Sequence, residues 1–437
     1  MHLRPRLERY FQFESLGATW RTEILAGFTT FMTMAYIVFV NPAILHETGM
    51  PLAAVTAATC LSAAAGSLLM GGLANYPIAL APGMGLNAYF TYVVVKGMGV
   101  PWQVALGAVF ISGVAFLLLT VIGVRQLILS AIPFELYSAV AAGVGLFIAL
   151  IGFRNSGIVV PSPATTVTLG KLGEKSTALA LVGLLLIATL LAWRVRAAML
   201  IGILATTAAG LLTGVAKWSP QTYSLGDLSA TAGKLNIAGT LKIGFIEIVF
   251  VFLFIDLFDN IGTLVAVGKK ANLFDEKRQI PRLNRILVSD ATATIVGSLT
   301  GTSTVVSYIE SAAGVAVGGR TGVTAIVTGL LFAIALFIAP VVGAIPAAAT
   351  APALIVVGSM MASVMGEIAW HDPEVAVPAF LTMVTIPLSF SIANGLAFGF
   401  TAYSLIKILR GRFREVNWFV YLLTALFIAR FVYLANA

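Results

Sequence analysis

Apolar residues fill the chain in runs of about twenty, long enough as helices to cross the hydrocarbon of a bilayer. Short, mostly basic polar clusters separate them. The pattern predicts fourteen membrane-spanning segments: 24–45, 53–72, 76–96, 102–122, 133–152, 177–193, 198–216, 243–267, 285–300, 302–319, 322–340, 350–367, 374–390 and 392–409. A last apolar stretch, 418–434, contains Arg430 and follows a basic cluster. It predicts a helix lying at the cytoplasmic interface, with a fifteenth span as the alternative. Two segments break the pattern. In the third, "NYPIALAPGMGLNAYF" groups Pro82, Gly83, Gly85 and Asn87, each a poor choice for an uninterrupted helix in lipid. In the tenth, "GTSTVVSYIES" is β-branched and rich in hydroxyls. Both predict a short extended half followed by a half-helix, the two meeting near the membrane centre.

Composition agrees. Of 437 residues, 59% are hydrophobic and 10% charged, against about 25% charged in soluble domains. Mean hydropathy is +0.99. A net charge of +8 could suggest nucleic acid, but its distribution points elsewhere. With a cytoplasmic N-terminus, 18 basic residues fall on the inner side and seven on the outer. That bias favours an even number of spans with both ends inside, and no nucleic-acid partner is expected. The single cysteine, Cys60, excludes an internal disulfide.

The halves repeat. Ile132-Pro133 and Gly145 match Ile345-Pro346 and Gly358 at an offset of 213, and Gly113 matches Gly329 at 216. Gly85 and Gly314 flank the two irregular segments. Seven spans per copy is an odd number, so the second copy enters from the opposite side. The expected architecture is an all-α polytopic membrane protein of 14 segments in 7+7 inverted repeats, with short extended stretches in segments 3 and 10. Its divisions are an amphipathic cytoplasmic segment (1–21), a first repeat (22–216), an extracytoplasmic loop (217–242), a second repeat (243–409) and a basic cytoplasmic linker with the interfacial helix (410–437). Inverted repeats place a transporter's substrate at their interface, near the midplane.

Carboxylates sit at that depth. Asp256 and Asp259 in "FIDLFDNIGT" lie near the middle of the eighth span, and Glu310 at the break of the tenth. A carboxylate at the bilayer centre costs about 3 kcal/mol on insertion scales and marks function by default. Asp256, Asp259 and Thr263 share one helix face. Glu135, Glu247 and Asp290 lie nearer predicted span ends and are read as interfacial or structural. Acids without Lys or Arg at midplane depth argue against an anionic substrate. They suit a neutral planar ligand with adjacent N–H donors. Thr304, Ser307 and Asn87 could complete its edge, Tyr308 could stack on its face, and one acid could exchange a proton. No His-Glu-x-x-His or Gly-x-Ser-x-Gly occurs. No enzyme activity, catalytic residue, metal or cofactor is expected.

At "NYPIALAPGMGLNAYF", "DLFDNIGT", "PRLNR" and "GTSTVVSYIESAAGVAVGGRTG" the chain resembles the AzgA-like purine permeases of the nucleobase–ascorbate transporter superfamily. The resemblance runs from about residue 11 to 414. It implies a uracil-permease-like fold with core and gate domains, often dimeric, in the cytoplasmic (inner) membrane. It also implies proton-coupled uptake of hypoxanthine, guanine or adenine, with sodium as the less favoured coupling ion. By position, the family's substrate-contacting acids fall on Asp256 and Glu310, its sensitive third-span residues on Gly85 and Asn87, and a further sensitive acid on Asp259. The alternative within this fold is an anion or uracil-type carrier. Asn394 in "SIANGLAFGF" departs from the acid that relatives commonly carry.

Overall fold

A computed structural model describes residues 3–123, 132–218, 225–242, 246–271, 280–337 and 339–435. Each of the fourteen predicted segments contains helix. Among the described residues, seven helices are long and apolar enough to cross a membrane, and shorter apolar helices such as Met84–Val95, Gly322–Ala335 and Pro373–Ser389 supplement them. A helix satisfies its own backbone, which is the condition for crossing lipid. The protein is a mostly helical, multi-pass membrane protein.

The chain forms two compact units, and each draws on both halves of the sequence. The larger comprises Met1–Leu118 with Gly152–Leu354, the smaller Leu119–Ile151 with Ile355–Ala437. The larger unit contains both irregular segments. They are extended where proline, glycine and β-branched residues predict, and they pair. Strand β1 (Leu80–Pro82) runs antiparallel to β4 (Val305–Ser307), with Leu80 opposite Ser307, Ala81 opposite Val306 and Pro82 opposite Val305. The helices Met84–Ala88 and Ser311–Val317 follow the two strands. Strands β2 (Val159–Ser162) and β3 (Thr166–Leu169) form a separate hairpin between the fifth and sixth segments. Extended structure was expected in segments 3 and 10 alone, so this hairpin is an addition to that reading.

Small residues let the helices of the larger unit approach closely, as membrane helices require. A methyl group on Gly322 would lie 2.1 Å from the carbonyl oxygen of Gly71, and one on Gly71 would lie 2.4 Å from that of Gly322. Here a π-helical turn, Met70–Ala74, meets the start of Gly322–Ala335. Asn75 ends that turn at φ +51° and accepts the Gly322 N–H at 2.7 Å. Buried Glu23 caps the same helix from another: its carboxylate accepts the N–H groups of Arg320, Thr321 and Thr324 and the Thr324 hydroxyl. A carboxylate at a helix N-terminus meets free donors and the positive end of the dipole.

In the smaller unit, Gly145 and Gly358, matched across the repeat, lie backbone against backbone; a methyl on Gly358 would meet the Gly145 oxygen at 2.4 Å. Ala139, Ala142, Ile368, Ala379 and Met383 form its core. At one end, buried Glu374 meets Lys407 at 2.7 Å, Arg410 at 2.6 Å and Arg412 at 2.9 Å. The final helix, Trp418–Ala435, packs on Ile392–Leu409, with the Ser404 and Thr424 hydroxyls 2.8 Å apart and Phe427 beside Phe400.

Candidate functional site

Extended backbone inside a membrane needs partners for its edges. Here side chains supply them. Ser67, on helix Leu52–Leu69, accepts the Leu80 N–H and donates to the Leu80 carbonyl, both at 3.0 Å. Ser311 Oγ accepts the Ala79 N–H at 3.0 Å, and Thr294 donates to the Val305 carbonyl at 3.0 Å. Pro82 has no N–H to satisfy, and the Tyr308 hydroxyl donates to its carbonyl. Backbone bonds continue past the strands, from Gly83 N to Thr304 O and from Tyr308 N to Ala79 O. The ribbon is therefore a closed hydrogen-bonded unit with a half-helix leaving each strand.

The acids gather around it. Helix Ile246–Ala271 packs against β4 and against helix Ser311–Val317. It carries Asp256 and, one turn later, Asn260, both 1% exposed. Asn260 Nδ2 lies 2.9 Å from Asp256 Oδ1 and 2.5 Å from Asp290 Oδ2, while its Oδ1 accepts the Ser307 N–H at 3.1 Å. On the far side of Ser307, Glu310 directly precedes helix Ser311–Val317, and its Oε1 accepts the Tyr36 hydroxyl at 2.8 Å. Asp256 and Glu310 are thus linked through Asn260 and the end of β4. The buried hydroxyls of Thr304 and Ser307 have no hydrogen-bond partner among the described residues. Tyr89 packs edge-on against Phe252 at 5.1 Å, an aromatic contact between the first half-helix and Ile246–Ala271.

The expected residues divide. Asp256, Ser307 and Glu310 lie at the end of β4, whereas Thr304 directly precedes its start, where its carbonyl accepts the Gly83 N–H. Asn87 is fully buried and engaged elsewhere: it donates to Asn41 Oδ1 and accepts from Ser303, while Asn41 donates to Thr59 at 2.7 Å and Thr302 at 3.1 Å. It joins the half-helix to the residues before β4. Tyr308 is a strut, with its hydroxyl on Pro82. Gly85 is buried in helix Met84–Ala88. The side chain of Asp259 lies outside the described residues. Asp290, expected near a span end, is 1% exposed and well inside helix Leu283–Thr300, beside Asn260. The helix starts early enough to carry it inward. Asn260 and Tyr36 were not anticipated. The available signal for Asn260 was its i, i+4 spacing from Asp256, the other inward-facing spacing besides i, i+3.

Residues 21–398 match the model of the Permease family. The adenine permease AdeP of Escherichia coli K12 is 44% identical over 428 residues, covering 98% of this chain and 96% of its own. The guanine/hypoxanthine permease PbuG of Bacillus subtilis 168 is 43% identical over 440 residues, covering 98% and 100%. Among solved structures, the transmembrane domain of the cyanobacterial bicarbonate transporter BicA aligns with a TM-score of 0.65 over 86% of this chain and 97% of that one, at 14% identity. That last likeness is one of fold.

Proposed function

We propose, from the premise that the chain belongs to the Permease family, that it carries purine nucleobases across the cytoplasmic membrane by proton symport. The observation that carries this reading is the grouping of Asp256, through Asn260, and Glu310 with Ser307 around the end of β4, where the buried Ser307 hydroxyl has no hydrogen-bond partner among the described residues. A purine is flat and neutral, and its N–H groups lie along its edge. Carboxylates accept such donors strongly in a dry site. Asp256 and Glu310 grip the base, and Thr304 and Ser307 pair with its remaining edge. Release of a proton from one acid into the cytoplasm accompanies release of the base, which couples the two gradients.

The two units act as core and gate, alternately exposing the core site to either side. Both termini are cytoplasmic, and the fourteen segments form two inverted repeats. The contact between Gly145 and Gly358, and the antiparallel meeting of the two irregular segments, support that symmetry. Oxopurines are favoured while the acids are ionised, because guanine and hypoxanthine offer N1–H where adenine offers a lone pair.

The test is uptake of radiolabelled hypoxanthine into liposomes under an inward proton gradient. Unlabelled guanine, adenine and uracil serve as competitors, with and without a protonophore. Uptake should collapse with the protonophore, and Asp256→Asn and Glu310→Gln should abolish it in folded protein. Normal uptake in both variants removes the acids from the site. Uptake of bicarbonate or sulfate in place of any purine replaces the reading with anion transport.

A further inference from the structure

We propose that Asn260 is a positioning residue of this site, holding the Asp256 carboxylate in the orientation that meets the base and so setting which purines bind. The inference rests on the purine reading above. An amide side chain offers two hydrogens at one end and two lone pairs at the other. At Asn260 both ends are engaged. Nδ2 reaches Asp256 Oδ1 at 2.9 Å, the Asp256 carbonyl oxygen at 3.1 Å and Asp290 Oδ2 at 2.5 Å. Oδ1 holds the Ser307 N–H at 3.1 Å. Turning the amide over would set an oxygen against two carboxylate oxygens and a nitrogen against an N–H, so its orientation is fixed from both sides.

The same side chain therefore joins helix Ile246–Ala271, helix Leu283–Thr300 and the end of β4. Its effect falls on Asp256. A carboxylate rotates over a broad, soft torsion, so a donor that pins Oδ1 decides where Oδ2 points. A planar base is gripped well when the carboxylate lies in its plane and its N–H points along a lone pair. Hypoxanthine satisfies that with N1–H, whereas adenine presents a lone pair there. Releasing Asp256 from Asn260 should blunt this discrimination.

The test measures equilibrium binding of tritiated hypoxanthine and adenine to the full-length protein in nanodiscs, alongside its melting temperature. Asn260→Ala should bind hypoxanthine about tenfold more weakly and narrow the preference between the bases about threefold or more, with a lowered but still cooperative melting transition, since Asp256, Asp290 and the Ser307 N–H each lose a partner. Asn260→Ser removes the same amide without setting an acid beside the two carboxylates, and gives the same comparison if the alanine variant does not fold. An unchanged preference in whichever variant folds overturns the proposal, whether both bases weaken equally or neither does. Failure of both variants to fold assigns Asn260 to the frame and also overturns it. Wild-type protein that binds neither base overturns the purine reading itself, which separates the two failures.

Discussion

Removing the Ser67 hydroxyl tests whether the strand edges depend on side chains from neighbouring helices. In Ser67→Ala, the Leu80 N–H and carbonyl both lose their 3.0 Å partner. Ser67 and Leu80 are fully buried, so water does not replace it. An unsatisfied buried group costs about 1–3 kcal/mol, so two cost about 2 kcal/mol at the low end. Hydrogen bonds between membrane helices average only about 0.6 kcal/mol in double-mutant cycles, because the alternative state finds partners too. The ribbon edge has no such freedom while the protein is folded. The larger figure should therefore hold. The lone cysteine, Cys60, provides the assay, since it is buried on the same helix as Ser67. A thiol-reactive dye labels it only when Leu52–Leu69 leaves its packing. A loss of about 2 kcal/mol raises the open fraction, and the labelling rate with it, about thirtyfold. Thr294→Ala, which strips one carbonyl of its partner, should give a smaller increase. A rise of less than about threefold for Ser67→Ala, the size of one average membrane hydrogen bond, refutes the argument.

Three further outcomes follow from the packing and the charges. Gly71→Ala should destabilise by about 1–3 kcal/mol, since its methyl group would meet a carbonyl oxygen at 2.4 Å, while Gly72→Ala, with nothing within 4 Å, should melt like wild type. Tyr36→Phe keeps the ring but removes the donor to Glu310; KM for the base should rise about tenfold without loss of fold, and an unchanged KM would separate Tyr36 from recognition. Outside the spans, hydrogen bonds from Arg412 and then Lys407 hold the Glu415 carboxyl below its ordinary value of 4.5. A depressed carboxyl stabilises the fold above that value and ceases to do so as the pH falls through the folded one. The melting gap between wild type and Glu415→Gln should therefore be present at neutral pH and close below about pH 4.5. A gap that persists in acid contradicts the assignment.

Local chemistry made much of this legible. Pro82 and Gly83 mark a helix break, the run from Thr302 to Ser307 favours extended backbone, and both stretches are extended. What the sequence could not give was their pairing, because strands distant in the chain carry no mark of their register. Asp256 and Glu310 stood out because acids in lipid are rare. Asn260 and Tyr36 did not: the i, i+4 spacing from Asp256 puts Asn260 on a shared face without marking a contact, and a lone phenol among apolar residues signals nothing until its partners are placed. Asp290 lies deeper than its place near the start of the predicted span suggests, in part because the helix begins two residues earlier, at Leu283 rather than 285. Asn87 was seen as conspicuous but not as occupied: its partners Asn41 and Ser303 come from distant segments. The hairpin β2–β3 lies in a polar connection where hydropathy is silent.

The bonds that hold the ribbon fall on backbone atoms at Ala79, Leu80, Pro82, Gly83, Thr304, Val305 and Ser307. Such bonds do not depend on which side chains those positions carry. On the purine reading proposed above, the scaffold and the cargo preference are thus specified by different atoms of the same residues. On that reading, exchange of Thr304 or of the Ser307 hydroxyl changes what is carried while the frame keeps its geometry. Change at Ser67, Thr294 or Ser311 has no such latitude, although none of them need ever touch a substrate.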